Sequence, residues 1–161
     1  MKHQFQQHEA PTLDRLIDTW LELEPTKVVI LERNGIEELV CENVVIGELD
    51  QMKVAFTPED SLSMQGALQR LVKEKLVYLS LNGYEVSFMM CYARSKAVQN
   101  AYAWAAEIQV RHAPMKIKTL TPERPQIIHV ASNDIAQSLL LAYIMFLRQV
   151  WIPKRKKEAQ S

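Results

Sequence analysis

The feature that most constrains this chain is an apolar run near its C-terminal end, where residues 139–147 are nine consecutive apolar side chains. A helix that is apolar all round must be enclosed all round, and a bilayer span needs about 20 apolar residues. Residues 132–134 (Ser-Asn-Asp) are typical helix caps, and Pro153 is expected to end the helix near Ile152. The sequence therefore predicts a buried apolar C-terminal helix.

Two Asn-Gly pairs predict tight β-hairpins, because both central positions of the favoured turn need a positive φ. The predicted strands and turns are 27–33, Asn34-Gly35 and 36–46 for the first hairpin, and 76–81, Asn82-Gly83 and 84–92 for the second. In the second hairpin both faces are partly apolar. The C-terminal helix is the natural cover for one of those faces.

Three further helices are predicted from caps and apolar spacing. Residues 12–24 form an N-terminal amphipathic helix that Pro25 ends. Thr57 and Pro58 start a second helix, which we expect to end at 73–75. An alanine-rich segment at 96–107 predicts the third.

With further strands at 52–56, 108–120 and 126–130, these elements predict an α+β fold built on an antiparallel sheet. Residues 51–120 then have the order βαββαβ, which is that of the ferredoxin-like arrangement. A plain α+β sheet with another strand order is the alternative. Either fold is compatible with many functions.

Length and composition favour one domain over residues 1–153. Residues 1–11 are expected to be a disordered leader without the apolar core of a secretory signal, and 154–161 a flexible basic tail. Cys41 and Cys91 lack the CxxC spacing and lie in apolar runs, which is typical of small buried thiols. These features predict a cytoplasmic protein.

The net charge is zero, but acidic and basic side chains are distributed unevenly between the two halves of the chain. Residues 1–60 hold 13 acidic and 5 basic side chains, whereas residues 61–161 hold 6 acidic and 14 basic ones. This division is compatible with charges that pair within one molecule. It is equally compatible with opposite fields that set the register of a complex.

No segment has the pattern of a known catalytic or cofactor-binding motif. The four glycines are too scattered for a phosphate loop, and a G-x-S-x-G elbow does not occur. His112 and His129 have no ligand at metal-binding spacing. We therefore predict no catalytic residue, cofactor or metal, while a small enzyme with a pocket between the helix from Thr57 and the sheet stays an alternative.

The function that these patterns favour is a non-enzymatic protein-binding or assembly module that associates with itself or with another protein. The alternative is a peripheral membrane protein, with the C-terminal helix and the tail on anionic lipid. The candidate binding residues are Lys154, Arg155, Lys156 and Lys157. Sequence-specific nucleic-acid binding is not expected, because the aromatic pattern of RNA-binding sheets is missing.

Overall fold

The computed structural model describes residues 11–95, 101–113 and 124–160, which form two three-stranded antiparallel sheets and a set of helices. The elements are α1 (Leu13–Leu23), β1 (Val28–Arg33), β2 (Ile36–Cys41), β3 (Val44–Glu48), α2 (Leu49–Val54), α3 (Pro58–Leu81), β4 (Tyr84–Ser95), β5 (Ala101–His112), β6 (Gln126–Ser132), α4 (Ile135–Phe146), a π-helical turn (Leu147–Trp151) and α5 (Ile152–Gln160). The predicted α+β class is confirmed. The predicted leader lies outside the described residues, except for Pro11.

The first sheet has the order β1-β2-β3. Its first turn is the predicted one, with Asn34 and Gly35 at φ 53° and 78°. The single return strand predicted over 36–46 is wrong, because Glu42 and Asn43 also have positive φ, at 47° and 69°. Two successive left-handed residues reverse the chain. The segment therefore forms two strands, β2 and β3.

The first two helices show one prediction that is confirmed and one that is wrong. In α1, Thr12 caps the helix, and its side chain accepts a bond from the Arg15 N–H at 3.4 Å. The strand predicted at 52–56 is wrong, since most of this segment belongs to α2. Leu49 and Met52 are both buried, and their spacing of three places them on one helical face.

The helix α3 begins as predicted but is longer than predicted. Thr57 Oγ1 accepts from the Asp60 N–H at 3.1 Å, and Asp60 Oδ2 accepts from the Thr57 N–H at 3.3 Å, which completes a capping box. The helix continues past 73–75 to Leu81, so the strand predicted at 76–81 is wrong. Leu76 and Leu79 are buried at a helical spacing of three.

The second Asn-Gly pair ends a helix and does not connect two strands. The Asn82 N–H donates to the Leu79 carbonyl at 3.0 Å, and Gly83 has a φ of 86°. A glycine with positive φ just beyond the last turn is the usual helix C-cap. The predicted hairpin is therefore wrong, and β4 begins at Tyr84 after a helix.

We expect Gly83→Ala to lower the free energy of unfolding by about 1 kcal/mol, because its φ is left-handed. The matched control is Gly66→Ala in the middle of α3, where an added Cβ meets no atom within 4 Å. That change should raise the free energy of unfolding by about 0.5–1 kcal/mol. Urea unfolding followed by circular dichroism measures both. A gain in stability for Gly83→Ala would contradict the proposed cap.

The second sheet has the order β4-β5-β6, and β4 and β5 are paired from Tyr84↔His112 to Ser95↔Ala101. The helix predicted at 96–107 is wrong over the described residues 101–107, which lie in β5. Ala103, Ala105 and Ala106 are buried in this strand, and the Ser138 hydroxyl of α4 donates to the Trp104 carbonyl at 2.7 Å. Residues 96–100 lie outside the described part of the chain.

The possible ferredoxin-like order over 51–120 is wrong, because the described part of this stretch reads α2, α3, β4 and β5. The strand predicted over 108–120 is confirmed as far as His112, and 114–120 lie outside the described residues. The predicted strand at 126–130 is confirmed as β6.

The C-terminal helix is enclosed as predicted and packs against α1, α3, β5 and β6. Asp134 caps it, with Oδ1 accepting from the Gln137 N–H at 3.0 Å. Of the nine side chains at 139–147, seven are at most 2% exposed: Leu139, Leu140, Ala142, Tyr143, Ile144, Phe146 and Leu147. By length and hydropathy alone Ile135–Gln160 is the one described helix that could cross a membrane, a test that buried core helices of soluble proteins also pass.

The helix does not end at Pro153 as predicted, because a π-helical turn precedes the proline. The Ile152 N–H donates to the Leu147 carbonyl, five residues back. The Gln149 carbonyl, which the missing proline N–H would otherwise leave without a partner, accepts from Gln126 Nε2 at 3.4 Å. Residues 154–157, predicted to be a flexible tail, therefore lie on a helix that continues to Gln160.

Candidate functional site

The first sheet carries the densest group of exposed apolar side chains. Thirteen large apolar side chains are exposed among the described residues, and six of them lie on β1, β2 and β3. These six, named here the apolar hairpin surface, are Val29, Ile30, Leu31, Ile36, Val44 and Val45. Scattered exposed apolar residues are normal, whereas a contiguous group marks an interaction site.

The register shows that this surface covers both faces of the β1–β2 hairpin. Ile30 is paired with Leu39, so both lie on the face that meets the core, yet Ile30 is 40% exposed and Leu39 is not exposed at all. Leu31, on the opposite face, is 52% exposed. The end of the hairpin therefore extends beyond the core.

Strand β1 is one of the two edge strands of this sheet, because among the described residues it has β2 on one side and no strand on the other. Five of its six residues are exposed, and its pairing with β2 has no bulge. Natural edge strands avoid pairing with other chains through prolines, bulges or inward-pointing charges. Here the charged residues of β1 are confined to its end, at Glu32 and Arg33.

The end of the hairpin is acidic. Glu32 and Glu37 are register partners, so two like charges face each other across the strands. Arg33 lies 3.9 Å from Glu38 and is 77% exposed, so this ion pair contributes little. The opposite end of β1 begins next to Lys27, whose ammonium lies 3.5 Å from Glu42 and 3.6 Å from Glu74. The apolar hairpin surface therefore has an acidic end, and the cation at its other end, Lys27, is paired with two carboxylates.

The structure places the four predicted binding residues on different sides of α5. Lys154 and Lys157 line a cleft, named here the basic cleft, together with Tyr84, His112 and Arg124. The Arg155 guanidinium packs 5.2 Å from the Tyr78 ring and 5.6 Å from the Trp151 ring. Lys156 is exposed and lines none of the described clefts. The four cations therefore do not form one binding surface.

A buried ion pair lies where α1, α3 and the C-terminal helix meet. Lys75 Nζ lies 2.9 Å from Glu24 Oε2, and the two side chains are 5% and 9% exposed. Glu24 Oε1 accepts bonds from Trp20 Nε1 at 3.2 Å and from the Tyr143 hydroxyl at 2.6 Å. The Lys75 ammonium also lies 5.4 Å from the centre of the Trp151 ring. Each polar atom of this network has a partner among the described residues.

Burial determines the protonation states of the Tyr143 hydroxyl and the Cys41 thiol. Burial raises the pKa of the Tyr143 hydroxyl far above its usual value, and the Glu24 carboxylate adds to the shift. The phenol therefore stays protonated and donates to Glu24. Burial also raises the pKa of the nearby Cys41 thiol to about 11, with the Glu42 and Glu24 carboxylates adding to that shift. A thiol with such a pKa is a poor nucleophile.

Two further depressions flank α3. One, of about 470 Å³, lies beside the buried ion pair and is lined by Lys75, Tyr78 and Trp151 among others. The second, of about 450 Å³, lies between α3 and β4, close to where the enzyme alternative places a pocket. Its one ionisable group among the described lining residues is Lys73, so it holds no acid–base pair. This arrangement does not favour the enzyme alternative.

The cysteines and histidines take structural positions. Cys41 and Cys91 lie in strands and are both free thiols; Cys41 is buried as predicted, whereas Cys91 is only partly buried, so the prediction of a buried thiol is wrong for Cys91. His129 Nδ1 lies 3.5 Å from Glu107 Oε1 across the β5–β6 pair. Within the described ranges, no group of three or more His, Cys, Asp or Glu side chains could hold a metal ion.

Several residues of these surfaces were not singled out from sequence. Tyr84, His112 and Arg124 line the basic cleft, and the pairing of β4 with β5 that joins the first two was hidden by the helix predicted at 96–107. The apolar hairpin surface had a signal in the unbroken run of four apolar residues from Val28 to Leu31. Such a run does not alternate, and it is typical of a strand with both faces covered.

The fold and these surfaces define an α+β protein with two three-stranded antiparallel sheets and an enclosed C-terminal helix. A scan against protein-family models finds no match, and searches of curated proteins and of solved structures find none either.

Proposed function

We propose that this chain is a non-enzymatic protein-binding module that assembles through its apolar hairpin surface, and that its partner is a second copy of the chain. The observation that carries this proposal is the concentration of exposed apolar side chains on both faces of a hairpin whose outer strand, β1, has no further strand beside it among the described residues. Burying such side chains stabilises a complex by about 25 cal/mol per Å² of apolar area, before the costs of association.

The proposed contact is an antiparallel pairing of β1 with β1 of the second copy. This pairing would join the two sheets into one of six strands, with main-chain hydrogen bonds along the shared edge. A contact between identical edges is closed by a two-fold axis, so it gives a dimer and no filament. Leu31 would lie near the centre of the contact.

Charge supports the antiparallel direction. A parallel pairing would place the acidic ends of the two hairpins, at Glu32 and Glu37, side by side. The antiparallel pairing separates these ends and so avoids that repulsion between like charges.

The test is light scattering coupled to gel filtration, with Leu31→Lys compared with Leu62→Lys. Leu62, on α3, is 68% exposed and lies outside the apolar hairpin surface, so it is a matched control. We expect the wild type and Leu62→Lys to be dimers. Leu31→Lys should raise the dimer dissociation constant by about 30-fold or more, as for a central interface residue.

Two results would contradict the proposal. One is a wild-type chain that stays monomeric at high protein concentration in both low and moderate salt. The other is equal dissociation by Leu31→Lys and Leu62→Lys, which would show a general effect of added charge. Circular dichroism of both variants confirms that each is folded before the comparison is made.

The peripheral-membrane alternative stays a prediction. In the described structure the apolar side chains at 139–147 face protein, so a membrane contact would have to use surface cations and not the apolar run. Of the predicted cations, Arg155 is engaged with aromatic rings and with Glu158 at 3.0 Å. No observation favours this alternative over assembly.

A further inference from the structure

We propose that the basic cleft binds a phosphomonoester group. The cleft has a volume of about 320 Å³ and lies between the paired ends of β4 and β5, the start of β6 and the first turns of α5. This inference is independent of the proposed assembly, because the cleft and the apolar hairpin surface share no residue.

The charge of the cleft is of one sign. Arg124, Lys154 and Lys157 line it, and among the described residues no carboxylate does. Lys154 and Lys157 are three residues apart on α5, so their side chains project from the same face of the helix. Three cations that converge on one concave site repel each other, and a bound anion of charge −2 relieves that repulsion.

Three side chains of the cleft, those of Tyr84, His112 and Lys154, are held in place by contacts with their neighbours. The Tyr84 and His112 rings, on register partners of β4 and β5, lie 4.9 Å apart between centroids. Lys154 Nζ lies 3.5 Å from the centre of the Tyr84 ring, and the Lys154 side chain is only 16% exposed. A fixed cation binds an anion at a lower entropic cost than a mobile surface lysine does.

One acid lies close to the cleft without lining it. Glu158 Oε1 is 3.8 Å from Lys154 Nζ. The other oxygen of Glu158 accepts from the Tyr78 hydroxyl at 2.9 Å and from Arg155 at 3.0 Å, so this carboxylate lies between Lys154 and the Tyr78 side of α5. Lys154 is therefore partly neutralised, whereas Arg124 and Lys157 supply the stronger attraction.

The π-helical turn shapes the cleft wall. Gln149 and Val150 belong to this turn and line the cleft, and the Gln149 carbonyl accepts from Gln126 Nε2 at 3.4 Å. That bond ties the start of β6 to the helix and positions Arg124, two residues before Gln126. Single π-helical turns inside α-helices are frequent at functional sites.

The shape of the cleft indicates a phosphate group on a larger molecule. The volume of about 320 Å³ exceeds what inorganic phosphate fills, and Tyr84, Val150 and Pro153 supply an apolar wall for the remainder of a ligand. Guanidinium and ammonium groups are the usual partners of phosphate oxygens. A soluble phosphorylated compound and a phospholipid headgroup both present this chemistry.

The first experiment is isothermal titration calorimetry with inorganic pyrophosphate as the probe. Arg124→Gln and Lys157→Gln each remove one cation from the cleft and should raise the dissociation constant about tenfold, as for a charge-assisted hydrogen bond. Lys156→Gln is the matched control, because it removes the same charge from the same helix outside the cleft. It should leave the dissociation constant within about twofold.

A wild-type chain that binds no pyrophosphate at low ionic strength would overturn the proposal. So would an equal weakening by Lys156→Gln and Lys157→Gln, because that result would show attraction by net charge alone. Unchanged binding by both Arg124→Gln and Lys157→Gln would place the anion elsewhere.

The second experiment separates the two sources of the phosphate group. Flotation uses phosphatidylcholine vesicles with and without phosphatidate, which carries a phosphomonoester headgroup. Vesicle binding that Arg124→Gln removes assigns the cleft to a lipid headgroup, and pyrophosphate binding without vesicle binding assigns it to a soluble compound. Phosphatidate binding that Arg124→Gln and Lys157→Gln leave unchanged would contradict the proposal.

Discussion

Lys75→Met is expected to lower the free energy of unfolding by about 3–5 kcal/mol, the usual effect of removing one partner of a buried ion pair. The Glu24 carboxylate is only 9% exposed, and Lys75 Nζ is the cation beside it at 2.9 Å. Methionine fills a similar volume, so the decrease in the free energy of unfolding results from the removed charge and not from a cavity. Trp20 and Tyr143 would still donate to Glu24, which keeps the variant folded.

The control for this prediction is Lys73→Met, two residues earlier on α3 and exposed. It should change the free energy of unfolding by no more than about 0.5 kcal/mol. The double variant Lys75→Met with Glu24→Gln should recover about 1–3 kcal/mol of the loss, because the unpaired carboxylate is then gone. Urea unfolding of the wild type, Lys75→Met, Glu24→Gln and the double variant gives the coupling energy of the pair. Equal losses of stability for Lys75→Met and Lys73→Met would rule out the buried pair as a source of stability.

This ion pair shows what the sequence could not reveal. Glu24 lies next to Pro25 at the end of an amphipathic helix, where an acidic residue is usually solvated, and Lys75 lies among charged residues of α3. Nothing local marks either residue as buried. Their burial follows from the packing of α3 against the C-terminal helix, which is a long-range contact.

The sequence patterns that predicted the structure correctly are those that are compatible with only one kind of local structure. Thr57 followed by Pro58 fits only a helix start, and the apolar run at 139–147 requires an enclosed helix. Both predictions are confirmed. The hairpin at Asn34-Gly35 is confirmed as well, because strands flank it on both sides.

The sequence patterns that led to wrong predictions are compatible with two kinds of local structure. Asn82-Gly83 provides left-handed residues, which suit a hairpin turn and a helix C-cap equally. The segment at 76–81 has apolar side chains that fit a period of two as well as a helical period. At 101–107 the alanines favour a helix by propensity, but their place in β5 is decided by pairing on both sides and by the close approach of α4.

For the candidate surfaces, the residue types follow from the sequence, but only the structure shows how these residues are arranged. The cations at 154–157 could be named from sequence, but their division between the basic cleft and the Tyr78 side depends on the helical course of α5. That course depends in turn on the π-helical turn before Pro153, which no sequence pattern indicated. The apolar hairpin surface comes entirely from the acidic half of the chain, and the basic cleft comes entirely from the basic half.

Leu140→Asp is expected to have the largest effect of any single change considered for this chain. Leu140 is fully buried in α4, within the run that packs against α1, α3, β5 and β6. A carboxylate there loses its hydration, and the cost should exceed about 4–5 kcal/mol, a large part of the 5–15 kcal/mol that stabilises a typical domain. We expect the variant to show no cooperative unfolding transition at 25 °C.

Gln149→Asp is the control, because it introduces the same carboxylate at an exposed position of the same continuous helix. The free energy of unfolding of this variant should stay within about 0.5 kcal/mol of the wild-type value. The measurements are urea unfolding by circular dichroism and solubility without detergent. If Leu140→Asp unfolds like the wild type, or if the wild type needs detergent to stay dispersed, the C-terminal helix is not the centre of this fold. The apolar hairpin surface and the basic cleft, which are both placed by that core, would then lose their structural basis.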